Sequence, residues 1–192
     1  MRITGGGASG IPLKVPTGSH VRPATDFMRE AVFSSLGKLV EGATVLDLFA
    51  GIGGYGLEAL SRGARLVTFV EKNVTALRLL ETNIGATQKA LGREAEDPST
   101  QLARKDVFKW KGPWGSFNLV FADPPYPLWL GQPKAILVRG QDYLIEADAS
   151  ARLVCEAPGG FDLIAPKGLR IVKKIERGPQ QPAVTIFAPT AD

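Results

Sequence analysis

Asp123, Pro124, Pro125 and Tyr126 stand directly behind the apolar run SFNLVFA. Their order suits one kind of chemistry, alkylation of an exocyclic amine on a planar base. Such a nitrogen is a weak nucleophile because its lone pair is delocalised into the ring. A carboxylate at Asp123 can accept one N–H and the carbonyl of Pro124 the other, while the two prolines keep the backbone rigid and extended. Two acceptors aimed at one NH2 favour its pyramidalisation, so the rate would come from positioning and electrostatics. Tyr126 adds a face on which a base can stack. No group titrating near neutrality is needed, because the amine sheds its proton only after it has become cationic. The plainer reading is a loop whose prolines stop a strand. The motif's place at a strand end, where a substrate edge belongs, favours the chemical reading.

A second constellation is DLFAGIGGYG, Asp47 to Gly56. Gly51, Gly53 and Gly56 have the G-x-G-x-x-G spacing of dinucleotide sites, and among 22 glycines that spacing can arise by chance. Its position between an apolar strand and a helical pattern strengthens it. Glu71, about twenty residues on, closes the next apolar run, where a carboxylate can accept from both hydroxyls of a ribose. NAD and S-adenosylmethionine share these requirements, so glycines and Glu71 point to an adenosine cofactor without choosing. Asp47 favours the second. A carboxylate beside the glycine loop would repel a pyrophosphate, but it suits the cationic α-ammonium of an amino-acid tail. The dinucleotide stays open, as does a merely solvated Asp47. Asp106, in KDVF, lies where such sites meet the adenine amino group, and an ordinary loop aspartate fits there equally.

These groups need a scaffold. Apolar runs at 43–50, 65–72, 101–108, 116–125 and 152–157 alternate with helical patterns at 55–63, 73–91 and 132–148. Asn73 is placed to cap the second helix. Two further strands, LRIVKKIER and AVTIFAP, would form an antiparallel hairpin joined through GPQQP. The alternation predicts an α/β fold, Rossmann-like and doubly wound, with a mainly parallel seven-stranded sheet and that C-terminal hairpin. Residues 1–40 would add a small N-terminal hairpin and an amphipathic helix over 25–37, with Phe27, Ala31 and Leu36 on its apolar side. Residues 41–192 would form the catalytic domain.

The 192 residues carry a formal charge of +4, with 44% hydrophobic and 22% charged residues, a balance suited to a globular core. No apolar run is long enough for a membrane span, and the N-terminus lacks the apolar segment of a secretory signal. A cytoplasmic monomer without metal is the expectation. Cys155, the only cysteine, lies in the strand-like ARLVCEA and is read as a buried structural thiol. Basic residues gather at Arg2, Lys14, Arg22, Arg29 and Lys38, and again from Lys167 to Arg177. Two basic ends could form a surface for a polyanion or simply solvated faces.

The chain resembles the bacterial 16S ribosomal-RNA guanine-N2 methyltransferases, a class I S-adenosylmethionine-dependent family. MRI, LKVP and RPATDFMREAVFSSL match the family's opening hairpin and helix. VLDLFAGIGGYGLEALSRGA, VTFVEK and FNLVFADPPY then follow in the family's order. The resemblance implies that Asp47, Gly51, Gly53, Glu71 and Asp106 bind S-adenosylmethionine, with Phe49, Ala50, Lys72 and Val107 beside them. Asp123 to Tyr126 would handle the target guanine. Arg22, Pro23 and Arg29 would line the cofactor or RNA entrance, with Lys14 and His20 also toward RNA. The implied partner is 16S ribosomal RNA or the assembling small subunit. The chain departs from the family pattern at Ala24, at Phe27 and in RGPQQPAVTIF. The same motifs would serve an N6-adenine methyltransferase, although no separate target-recognition segment is evident and folded RNA presents its own shape. An NAD-dependent oxidoreductase would need an acid–base residue that no motif supplies. A non-catalytic RNA-binding protein would have little use for Asp47 and Asp123.

Overall fold

The computed structural model describes residues 1–17, 23–94, 97–178 and 180–190. At its centre β1 (Thr44–Leu48) is buried at every position, as expected of a strand with parallel neighbours on both sides. β2 (Leu66–Glu71) and β3 (Thr100–Arg104) extend the sheet one way, and β4 (Leu119–Ala122) and β5 (Arg152–Ala157) the other. β6 (Leu169–Ile175) and β7 (Ala183–Pro189) complete the order β3-β2-β1-β4-β5-β7-β6. The first five strands run parallel, and β7 pairs antiparallel with both β5 and β6. The doubly wound sheet and its C-terminal hairpin are therefore as expected. The order reverses between β1 and β4, and there the carboxyl ends of the strands splay from a crevice that can take a ligand.

Each face of the sheet has its own core. α1 (Pro23–Leu36), α2 (Gly54–Ser61) and α3 (Val74–Ala90) cover one face, burying Val32, Phe33, Leu57 and Leu80 against Val45, Val67 and Phe121. α4 (Tyr126–Gly131) and α5 (Pro133–Tyr143) cover the other with Trp129, Ile136 and Tyr143. Cys155 is buried in that second core, and burial pushes its thiol well up. Asn73 caps α3 by accepting the Ala76 N–H at 3.0 Å. The expected helix over 132–148 is shorter, ending at Tyr143, and α4 precedes it in a stretch to which no element was assigned. Pro133 explains the split: lacking an N–H, it suits the first turn of a new helix and cannot continue an old one.

The N-terminal hairpin closes through an antiparallel bridge between Arg2 and Pro12. Its glycines allow backbone to lie on backbone: Gly7 donates to the Ser61 carbonyl at 2.8 Å, and a Cβ on Gly6 would stand 2.0 Å from that oxygen. Glu58, fully buried on α2, binds this hairpin to α1. It accepts from Thr4 N and Thr4 Oγ1, both at 2.8 Å, and from Arg29 Nε at 3.3 Å and Arg62 Nε at 2.8 Å. Ile3, Ala8 and Leu13 enter the first core with the sheet residues. Phe27 departs from its expected apolar role: it is 48% exposed and lies under the Arg177 guanidinium, 4.1 Å from its ring centroid. α1 thus adjoins the basic C-terminal hairpin, touching β6.

Candidate active site

The site forms where four strands release their chains, and each of the four ends in a carboxylate. Asp47 is the penultimate residue of β1 and Glu71 the last of β2. Asp123 immediately follows β4, and Glu156 is the penultimate residue of β5. All four line one cavity of about 920 Å³, near the upper end for a small-molecule or cofactor site. Phe49, Ala50, Gly51 and Lys72 line it beside Asp47 and Glu71, as do Asp106 and Val107. Pro124, Pro125 and Tyr126 share the side opened by β4. The two motifs therefore face a common space. Gly53 stands behind the wall as the left-handed residue before α2, with φ 91°, where a Cβ would meet Leu80 Cδ1 at 2.5 Å.

The glycine loop is organised by acids rather than around an anion. Glu71 Oε2 accepts the Gly51 N–H at 2.7 Å, while Oε1 accepts those of Lys72 at 2.8 Å and Asn73 at 2.6 Å. Oε2 keeps room for one further donor. Asp47, only 2% exposed, accepts the Gly56 N–H through Oδ2 at 2.8 Å. Burial above all, with the Glu71 charge adding to it against the opposing Gly56 bond, pushes the Asp47 pKa up to about 8. A bare solvated Asp47 is thereby excluded. A pyrophosphate would find the first turn of α2 already capped by a carboxylate, and Gly51 already donating to another. The third glycine serves packing: a Cβ on Gly56 would lie 2.3 Å from the Phe69 ring.

Asp106 accepts from Phe108 N at 2.9 Å and from Lys72 Nζ at 2.7 Å, and the lysine holds its carboxyl below the ordinary range. Lys72, 66% exposed, is accordingly the partner of Asp106 at the rim. An acidic lining of Asp47, Glu71 and Asp106, with Phe49 and Val107 between, fits a cofactor bearing a cationic tail, a ribose and an adenine. S-adenosylmethionine meets that description and a dinucleotide diphosphate does not.

On the other side Asp123 is exposed to the cavity yet hemmed in by protein. Burial raises its pKa well above the usual carboxylate value, and the charges of Glu156 and Asp47 raise it further. Glu156 is raised in the same way, against the Tyr55 hydrogen bond and the Arg29 charge, which lower it. Pro124 is buried; Pro125, with ψ 137°, ends the extended segment and its carbonyl accepts from Leu128 N at 2.9 Å. Tyr126 starts α4 at the cavity mouth, half exposed.

The residues expected to face RNA are placed differently from one another. Lys14 is exposed, its main chain pinned by Asn83, which accepts from its N–H at 2.7 Å and donates to its carbonyl at 3.1 Å. Arg29 turns inward: it is 3% exposed, pairs with Asp26 at 2.9 Å and with Glu58, and also donates to the Arg2 carbonyl. It reaches the cavity as part of the wall, not as a surface contact. Pro23 opens α1, and Arg22 and His20 lie outside the described residues. Tyr55 and Glu156 were missed. The signal for Glu156 was present, an acid at the carboxyl end of an apolar strand, as at positions 47, 71 and 123. Tyr55 carried no such mark, because its packing on Phe121 and its bond to Glu156 join residues far apart in the chain.

A family model described as Conserved hypothetical protein 95 matches residues 1–186. Ribosomal RNA small subunit methyltransferase D of Haemophilus influenzae is 30% identical over 178 residues, covering 93% of this chain and 89% of that protein. The protein of the same name from Escherichia coli is 36% identical over 127 residues, 66% of this chain and 60% of that one. The solved structure of yhhF from Escherichia coli covers 100% of this chain, and 99% of its own, at 28% identity and TM-score 0.79. With the match running through the N-terminal hairpin, both motifs and the C-terminal strands, the chain belongs to the family described as Conserved hypothetical protein 95.

Proposed function

We propose that this chain is an S-adenosylmethionine-dependent methyltransferase of ribosomal RNA, and that its target is the exocyclic N2 amine of a guanine in the small-subunit RNA. The coarser part rests on family membership and on relatives of that activity along nine tenths of the chain. One observation carries the chemistry: Asp47 and Glu71 open into the same cavity as Asp123 to Tyr126. The guanine rests on the motif resemblance and on a target side rich in hydrogen-bond acceptors.

When bound, the cofactor supplies an electrophilic methyl group on a sulfonium. Asp47 would hold its α-ammonium, Glu71 its ribose through the free lone pair of Oε2, and Asp106 its adenine amino group. Tyr126 offers a stacking face to a guanine turned out of its helix. Asp123 and the carbonyl of Pro124 each accept one N–H of the amine, directing its lone pair along the remaining direction. After transfer Asp123 is the nearest base for the ammonium proton, and its raised pKa suits it to receive one. Before transfer the same carboxylate has to be ionised, so turnover falls as the pH drops through that raised pKa.

The test is methyl transfer from labelled S-adenosylmethionine to small subunits and to 16S RNA from a strain lacking the gene, followed by nucleoside analysis. N2-methylguanosine is expected at one position. N6-methyladenosine, or no incorporation into either substrate, overturns the reading.

A further inference from the structure

We propose that Glu156 is a specificity-determining residue, the acceptor for guanine N1–H, and that with Asp123 it reads the two adjacent donors of a guanine edge. The inference rests on the guanine reading above. Guanine presents N1–H beside N2–H, two donors in a row, whereas adenine presents its N6–H beside a bare N1 lone pair. Two carboxylates side by side fit the first pattern and repel the second.

The fold sets Glu156 beside Asp123 and holds it there. β4 and β5 are parallel with Ala122 opposite Cys155, so the residues that follow are neighbours at the same level of the sheet. Both belong to the face that carries Phe121 and Val154, because side chains alternate along a strand. Two helices then fix the glutamate at both ends. Tyr55 Oη, from the first turn of α2, donates to Glu156 Oε2 at 2.6 Å. Trp129 Nε1, from α4, donates to the Glu156 carbonyl at 2.8 Å. Tyr55 is itself locked, its ring stacked on Phe121 at 5.1 Å with 14° between the planes. α2 leaves the glycine loop and α4 leaves the proline turn, so Glu156 is referenced to both motifs at once. Glu156 lines the same cavity as Asp123, and only its Oε2 is used by Tyr55.

The charged and titratable groups acting on Glu156 are Tyr55 on α2, Asp123 after β4 and Arg29 on α1. Tyr55 is a positioning residue: its hydrogen bond aims the glutamate and favours the ionised form against the burial that raises its pKa. No covalent step is assigned to Glu156.

The test uses the full chain and subunits reconstituted with 16S RNA carrying either guanine or 2-aminopurine at the mapped methylation position. 2-Aminopurine keeps the C2 amine but lacks the C6 carbonyl and replaces N1–H by a lone pair, so the Glu156 contact is read from the change in preference between wild type and variant. The wild-type protein should prefer guanine in kcat/KM by roughly 30-fold, the range of one hydrogen bond to a charged group. Glu156→Gln can turn an amide N–H toward N1, so its preference should collapse to within about threefold. Unchanged S-adenosylhomocysteine affinity certifies that the variant is folded. If Glu156→Gln keeps the wild-type preference, the inference falls while the guanine reading stands. If the wild-type product is N6-methyladenosine, the guanine reading falls first and is recognised separately. Tyr55→Phe should move the acid limb of the pH profile for kcat/KM upward, because the lost hydrogen bond held the Glu156 pKa down. A tyrosine with only a packing role would lower Tm and leave that limb in place, which would also overturn the assignment.

Discussion

The cavity has two acidic sides that differ in how their carboxylates are satisfied. At the ends of β1 and β2 the chain answers its own acids: Gly51, Lys72 and Asn73 donate to Glu71, and Gly56 donates to Asp47. At the ends of β4 and β5 two carboxylates stand beside each other, with the Tyr55 hydroxyl donating to one of them. The first side is a template whose loop is shaped before any ligand arrives. The second is a pair of held acceptors in which burial raises both pKa values and the charge of Glu156 raises that of Asp123 further. Preorganisation for a cofactor and receptivity for a base thus call for opposite treatment of the same residue type.

The sharpest way to break this comparison is to remove one acid from each side. Asp123→Ala is expected to cut kcat by about 10²–10³-fold, the order lost when a group acting on the reacting atoms is removed, and to leave S-adenosylhomocysteine affinity within about threefold. Isothermal titration and single-turnover assays report the two quantities; a variant that binds poorly but turns over normally would reverse the roles. Glu71→Ala should do the converse. It strands three backbone N–H groups as well as removing the proposed ribose contact, so cofactor affinity falls on the order of 10²-fold and stability drops by about 1–3 kcal/mol.

Asp47 sharpens the comparison through pH. Its folded pKa of about 8 lies above the unfolded value of 3.8, so the folded state binds the extra proton between them. Stability is therefore lost as pH rises from about 4 toward 8. An ionised Asp47 is what the α-ammonium requires, so cofactor affinity rises over that window. Asp47→Asn should weaken S-adenosylhomocysteine binding about tenfold while raising Tm at pH 8 by a few degrees, with a smaller gain at pH 5. Denaturation scans at both pH values check the sign; a lower Tm at pH 8 would mean that the Gly56 bond outweighs the burial of charge.

A smaller effect separates glycine as packing from glycine as cofactor contact. Gly56→Ala should lower stability by about 1–3 kcal/mol through the clash with Phe69, with little change in cofactor affinity. Lost affinity at unchanged Tm would restore the reading of the third glycine as a ligand contact. The smallest change is expected from Lys72→Ala. Its ion pair with Asp106 is exposed on the lysine side, where such pairs contribute about 0–1 kcal/mol, so binding should shift by less than about fivefold.

Much of this site was legible in the residues. The strands at β1, β2, β4 and β5, the cap at Asn73 and the terminal hairpin follow from apolar period and turn chemistry, which act within a few residues. The glycine and proline motifs imposed conformations that can be read locally. What escaped were features set by partners distant in the chain. Glu58 was an unremarked acid in a helical pattern and became the junction of four donors once α1, α2 and the hairpin met. Arg29, expected from the resemblance to line the cofactor or RNA entrance, does line the cavity, but that Glu58 and Asp26 would hold its guanidinium inside was not legible. Phe27 was read as inward because phenylalanine is usually buried, yet Arg177 takes its face at the surface.

The sequence by itself determined which residue types sit at the strand ends, since an acid that closes an apolar run must emerge where the run stops being buried. It determined the glycine turn and the proline turn for the same local reason. Only the tertiary structure decided that β5 lies beside β4 in a register that sets Glu156 level with Asp123, and that Tyr55 reaches across from α2. Those juxtapositions depend on strand order and helix packing, sums of many weak contacts between residues far apart in the chain, and no single stretch of residues encodes them.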